Sequence, residues 1–266
     1  MGLHPLWATV MIYLIAVTLI VVMRPKALLE AVRVPSLWVL MLAAGATNAT
    51  FNWGVVIGDV VRVVLLFYLM PLWSVLLARV LLHEHFTAAA ALRVMLALVG
   101  AAVVLWPEQS TGWQSLPLPR SLPDWLGVLG GFSFALNNVM LRREAHRSAE
   151  ARALAMFAGG MVVAGVLALA LASQGQVPWP PAAAPSWMLL ALLMSALFLT
   201  GNLALQFGAA RLSANVTAVV LVSEVVVASG TAVAFGAGTL NAQLLVGGCL
   251  IVLTSLLAAV QSQTER

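Results

Sequence analysis

Charge is scarce in this sequence of 266 residues: Asp, Glu, Lys and Arg together make up 8% of it, against about 25% in a soluble domain. A soluble protein of this length could not cover its surface with so few charges. Cysteine is nearly absent as well. Cys249 stands alone in an apolar run and has no partner within the chain, which excludes a secreted disulfide scaffold. Lysine occurs once, as Lys26, and the other twelve basic residues are arginines. The formal charge of +4 therefore rests on few groups, and neither nucleic-acid binding, disorder nor a coiled coil fits such a composition. Other patterns are missing too. There is no P-loop for a nucleotide-driven pump, and no HExxH or Ser/His/Asp set within the apolar runs for an intramembrane protease, so no enzyme is expected. His83-Glu84-His85 gathers metal-ligand types, but residues one and two apart point different ways on a helix. Neither a metal nor a cofactor is expected.

What the chain does have is hydrophobic length. Residues of the AVILMFWYC set make up 62%. Nine apolar runs stand out, roughly Leu6–Met23, Ser36–Gly58, Val60–Leu82, Thr87–Trp106, Trp125–Leu141, Leu154–Ala172, Trp187–Gly208, Asn215–Phe235 and Leu240–Val260. Most can span a ~30 Å hydrocarbon core as helices. They are continuous, whereas barrel strands alternate over about ten residues. The sequence thus predicts an all-α membrane protein, a polytopic helical bundle. Residues Met1 to Pro5 hold no Lys or Arg, while Arg24 and Lys26 follow the first run directly. With the C-terminus inside, eleven basic residues fall on the inner side and two, Arg62 and Arg120, on the outer. The bias predicts an outside N-terminus and a cytoplasmic C-terminus. The two longest loops then fall outside. Trp106, Trp113, Trp125, Trp179 and Trp187 gather around their ends, as interfacial anchors do.

The chain also repeats itself. A shift of 154 residues places Asn48 on Asn202, Asn52 on Gln206, Trp53 on Phe207, Leu65-Leu66 on Val219-Val220 and Met70-Pro71 on Glu224-Val225. Matched spans run in opposite directions under this orientation, giving an inverted-topology repeat of four plus five spans. The expected organisation is a first repeat over 1–106, an external loop over 107–124 and a second repeat over 125–266. The first repeat has no equivalent of the helix Trp125–Leu141.

Polar groups in the spans single out a candidate site, because each must find a partner or face water. Glu224 is the only carboxylate well inside a span, about 14 Å from the inner end of its helix. Such an acid could couple solute movement to a proton, or be a protonated structural carboxyl bonded to a neighbour. Asn48 and Asn52 share a helical face, as do Asn202 and Gln206. These amides could hold a solute or link helices at about 0.6 kcal/mol apiece. Trp53, Tyr68, Trp73 and Phe207 could wall a cavity for an apolar or aromatic solute or simply pack. The arginines 142, 143, 147 and 152 read as topology determinants that meet anionic lipid heads.

The stretch Val64-Leu65-Leu66-Phe67-Tyr68-Leu69-Met70-Pro71-Leu72, with Leu81-Leu82-His83-Glu84 after it, resembles the repeat of EamA-type members of the drug/metabolite transporter superfamily. Such repeats have a Pro in this helix and a Gly-Glu at its inner end; here His83 stands in place of the Gly. Leu221-Val222-Ser223-Glu224 resembles the family's Glu-Pro site, with Val225 in place of the Pro. The resemblance implies a ten-helix inverted-repeat fold, here lacking its first helix, and a carrier of amino acids, other metabolites or drugs, in bacteria mostly an exporter. The expected function is therefore secondary active transport of a small metabolite by alternating access in a bacterial inner membrane. The expected partners are a small-molecule substrate and membrane lipids, and a homodimer is compatible with the sequence. A non-transporting assembly factor or a lipid-modifying membrane enzyme is the alternative.

Overall fold

The computed structural model describes residues 4–84, 87–105, 119–180, 185–234 and 242–264. His85, Trp106, Trp113 and most of the loop 107–124 lie outside them. Among the described residues all regular structure is helical: α1 (Pro5–Met23), α2 (Pro25–Arg33), α3 (Pro35–Ile57), α4 (Val60–Phe67), α5 (Met70–Leu81), α6 (Ala88–Leu105), α7 (Leu122–Arg143), α8 (Ala149–Ser173), α9 (Pro185–Ala209), α10 (Ala214–Val222), α11 (Glu224–Ala234) and α12 (Ala242–Thr264). Prolines open α1, α2, α3 and α9, where the missing N–H would have no intrahelical acceptor. Side chains cap others. The Ser148 hydroxyl accepts from Ala151 N at the start of α8, and Asp59 accepts from Arg62 N at 2.8 Å at the start of α4.

Five described segments are long and apolar enough to cross a membrane: Pro5–Met23, Pro35–Ile57, Arg62–Leu81, Ala149–Ser173 and Met188–Ala209. Shorter apolar stretches lie at Ala88–Val104 and Leu245–Thr254. The chain is an all-α, multi-pass membrane bundle. Twelve helices arise where nine runs are expected for two physical reasons. The third and eighth runs are each broken, and the link after α1 forms the extra short helix α2. That helix buries Ala27, while Leu28, Leu29 and Val32 stay exposed. This is the pattern of a helix lying in the interface rather than crossing it.

The two breaks fall at matched places. α10 begins 154 residues after α4 (214 against 60), α11 after α5 (224 against 70), and α12 after α6 (242 against 88). In the first break Pro71 offers no N–H and its ring crowds the preceding turn, so α4 ends at Phe67 and α5 restarts at Met70. The second break has no proline. There the Ser223 hydroxyl donates to Val220 O at 2.6 Å, and Ser223 stands between α10 and α11. A side-chain bond of this kind competes with the backbone ladder.

The helices form two compact units, Met1–Trp53 with Met140–Arg211, and Gly54–Val139 with Leu212–Arg266. In the first, α1 packs on α8. Gly159 lies against the backbone of Met41 on α3, and Gly160 faces the Tyr13 ring. Leu6, Trp7, Ala164, Ala168 and Leu171 form an apolar cluster there. In the second unit α6 packs on α12. A Cβ on Gly100 would approach Gly247 O to 3.0 Å, and one on Gly247 would approach Gly100 O to 2.7 Å, so small residues set this contact. α7 lies on α4 through Gly127 and Gly131. The core of this unit includes Tyr68, Met70, Val75, Val219, Val222 and Ile251.

Candidate functional site

In the second unit the two helix breaks bring Tyr68 and Glu224 into electrostatic reach of one another. Tyr68 ends α4, and Glu224 opens α11. The Glu224 carboxylate is near enough for its charge to act on the phenol. Tyr68 is buried, while Glu224 stays exposed within its unit. One turn beyond the first break, Trp73 stands edge-on to Phe132 of α7, with ring centroids 5.6 Å apart. Phe67 and Phe134 extend the aromatic wall at 5.4 Å. Several polar atoms around the breaks have no protein partner although they are buried: Trp73 Nε1, Ser74 Oγ and Thr217 Oγ1. On α7, Asn138 donates to Phe134 O at 2.9 Å, yet Oδ1 of both Asn137 and Asn138 is buried without a donor. An atom of this kind costs about 1–3 kcal/mol. All of them belong to the unit that holds the two broken helices.

One end of the second unit is differently arranged. Asp124, 2% exposed, accepts from Arg62 Nε at 2.7 Å, Arg120 N at 2.8 Å and Ser121 N at 3.2 Å. Burial works to raise the Asp124 carboxyl, but the bonds from Arg62, Arg120 and Ser121 outweigh it and hold the group below its ordinary value. At the other end Glu84 accepts from Ala214 N at 3.4 Å, at the start of α10.

The first unit holds the amides, and most of them are engaged. Tyr13 donates its hydroxyl proton to Asn48 Oδ1 at 2.9 Å, and Asn48 Nδ2 donates to Ala44 O at 3.0 Å. Asn52 Nδ2 reaches Thr9 Oγ1 at 3.4 Å. Trp53 packs against the apolar cluster of Leu6 and Trp7. On α9, Gln206 Nε2 donates to Asn202 Oδ1 at 2.7 Å, and Asn202 Nδ2 points at the Met156 sulfur at 3.4 Å. Gln206 also borders a cavity of about 550 Å³ with Arg147, Arg152 and Arg211.

The structure therefore divides the sequence-derived residues. Tyr68, Trp73 and Glu224 belong to the second unit, while Asn48, Asn52, Trp53, Asn202 and Gln206 belong to the first. Sequence reasoning did not single out Ser74 for the site, because a lone serine in an apolar run gives no signal until its burial is known.

A solved crystal structure superposes on the whole chain, covering 100% of it and 90% of the other chain, with a TM-score of 0.72 at 18% identity; this likeness shows the fold alone. None of the curated proteins matches the chain. Residues 2–106 match the model of the EamA-like transporter family. That match covers the stretch of Tyr68, Pro71 and Glu84 that carries the resemblance, so residues 2–106 are similar to the EamA-like transporter family, membrane transporters of the drug/metabolite type.

Proposed function

We propose that this chain is a secondary active transporter that exports a small metabolite, an amino acid or a drug-like solute, by alternating access. The reading is supported above all by the pair of helix breaks 154 residues apart, with Tyr68 and Glu224 at their ends. Broken helices at corresponding places in two repeats are how many carriers expose backbone ends and polar side chains to a solute near the midplane. In this reading the first repeat spans 1–106, the loop 107–124 lies outside, and the second repeat spans 125–266 in the opposite sense. The N-terminus is outside and the C-terminus cytoplasmic, in a bacterial inner membrane. Tyr68, Trp73 and Glu224 contact the solute, with Trp53 and the amides of Asn48, Asn52, Asn202 and Gln206 as further candidates. Glu224 exchanges a proton as the solute moves.

The test is efflux from proteoliposomes loaded with amino acids or cationic drug-like solutes, with and without an imposed pH gradient. Saturable, gradient-dependent flux is expected, and Glu224→Gln should remove the dependence on pH. Wild-type flux with an unchanged pH profile in that variant would reject proton coupling through Glu224. No flux of any solute would favour an assembly factor or a lipid-modifying enzyme.

A further inference from the structure

The cavity at the arginine-rich end of the first unit has three arginines that the transport reading does not use. It is lined by Arg147, Arg152, Arg211, Gln206 and Phe207, beside Ala149 at the first turn of α8. Arg152 is 5% exposed. Its one bond is a long one of 3.4 Å from a terminal nitrogen to Leu141 O, its Nε has no partner, and no carboxylate forms an ion pair with it. A buried guanidinium left this way is costly unless an anion meets it. The charge of Arg211 acts against that of Arg152, while the Glu30 carboxylate acts in its favour from beyond ion-pair distance. The Arg211 guanidinium lies over the Phe207 ring at 3.6 Å and donates to Phe207 O at 3.1 Å, which fixes its plane. Arg147 is the third cation. Glu144, its acidic neighbour at 3.6 Å, is shared with Arg143 and His146. Gln206 is 1% exposed, and its Oε1 is a buried acceptor with no donor. The N-terminus of α8 adds its positive dipole end.

Three arginines around a cavity this size, two of its side chains almost wholly buried with unpartnered atoms, form an anion site with one extra demand: a hydroxyl for Gln206 Oε1. We infer that this cavity binds a phosphate ester bearing a free hydroxyl, with the phosphate held by Arg152, Arg211 and Arg147 and the hydroxyl donated to Gln206. Two sources share that chemistry, a soluble glycerol phosphate and the headgroup of phosphatidylglycerol. All residues of the site lie in the first unit; of them only Gln206 also enters the transport reading, as a further candidate, and the three arginines do not.

The full chain is tested in two arms. In detergent, glycerol 3-phosphate is titrated while the unfolding temperature is followed. In nanodiscs of phosphatidylcholine with or without phosphatidylglycerol, retained lipid is counted by native mass spectrometry. A saturable rise in the first arm identifies a soluble ester, and selective retention in the second a lipid headgroup; either supports the site. Arg211→Gln, at an exposed position, should fold as the wild type does and weaken binding roughly ten- to hundredfold, the loss of a charge-assisted bond. Arg152→Lys keeps the charge but loses the fork and should weaken it by a similar factor. Absence of binding in both arms, or binding that survives Arg211→Gln unchanged, overturns the inference.

Discussion

In the unit built around α1, α3, α8 and α9, a buried hydroxyl or amide usually meets a protein partner: Tyr13 with Asn48, Thr9 with Asn52, Ser195 with Ile12 O at 2.7 Å. In the unit built around α4 to α7 and α10 to α12, Trp73 Nε1, Ser74 Oγ, Thr217 Oγ1 and the Oδ1 atoms of Asn137 and Asn138 meet none. Both units have the same kind of apolar packing and the same reliance on glycine at close helix contacts. Polarity placed at a seam between continuous helices satisfies itself. Polarity placed beside a broken helix does not, because the break turns backbone and side chains away from the regular ladder. Whole-protein stability is only about 5–15 kcal/mol, so several orphaned polar atoms at about 1–3 kcal/mol each are a large burden for one unit to carry for stability's sake. They share a unit with Tyr68 and Glu224, and the proposed transport function would give them a solute to meet. The exceptions in the first unit point the same way: Gln206 Oε1 and the Nε atoms of Arg147 and Arg152 are its orphans, and all three border one cavity.

The comparison is broken most severely at Asp124, where the second unit does satisfy its polar group, and at full charge. Arg62→Ala should leave a buried carboxylate without its cation and cost about 3 kcal/mol, read as a fall in unfolding temperature. Because Asp124 titrates below its ordinary 3.8 when folded, the stability it contributes is present above that value and is lost as pH falls through the folded one. The wild type should therefore lose stability in acid more steeply than Arg62→Ala does. Equal acid sensitivity of the two proteins would show that the pair adds nothing.

A smaller effect sets the two units directly against each other. Tyr13→Phe removes a donor that Asn48 uses and should cost about 1 kcal/mol. Thr217→Val keeps the side-chain volume, removes a hydroxyl with no protein partner, and should be neutral or stabilising by a similar amount. If the polarity around the breaks serves a solute, the same Thr217→Val should impair flux while Tyr13→Phe leaves flux per folded molecule intact. Destabilisation by Thr217→Val with unchanged flux would reverse the contrast.

Much of this was legible in the chain. The shift of 154 residues paired the two runs that turn out to be broken, though both read as continuous, and Pro71 gives a local cause for the first break. The second break rests on the Ser223 hydroxyl, a bond that many serines in apolar helices make without interrupting them. Helix α2 was not legible, since nine residues with three charged groups and no long apolar run read as a connection. The pairing of Tyr13 with Asn48 was hidden for another reason: its residues lie 35 apart on different helices, and their meeting depends on Gly159 and Gly160 letting α8 approach α3 and α1. The compact units were least legible, because each collects helices from two separate stretches of the chain. No local pattern announces which distant helix will be a neighbour.

The smallest expected effect concerns two helix ends that solve one problem with different residues. In the first unit α8 stops at Gly175, with φ of 72°; Gln176 N returns to Leu171 O at 2.9 Å and Gly175 N to Ala172 O at 3.0 Å. This is the Schellman arrangement, in which glycine enters the left-handed region without a Cβ penalty. In the second unit α5 stops at His83, which takes φ of 55°, the one non-glycine residue with positive φ among those described. Glycine is the residue that the family resemblance leads one to expect there, and the backbone shows why. His83→Gly should relieve the strain and stabilise the protein by roughly 0.5–1 kcal/mol, whereas Gly175→Ala should cost about 1 kcal/mol. Both are read as shifts in unfolding temperature in detergent. A loss of stability in His83→Gly would mean that the imidazole makes a contribution larger than the strain its backbone bears.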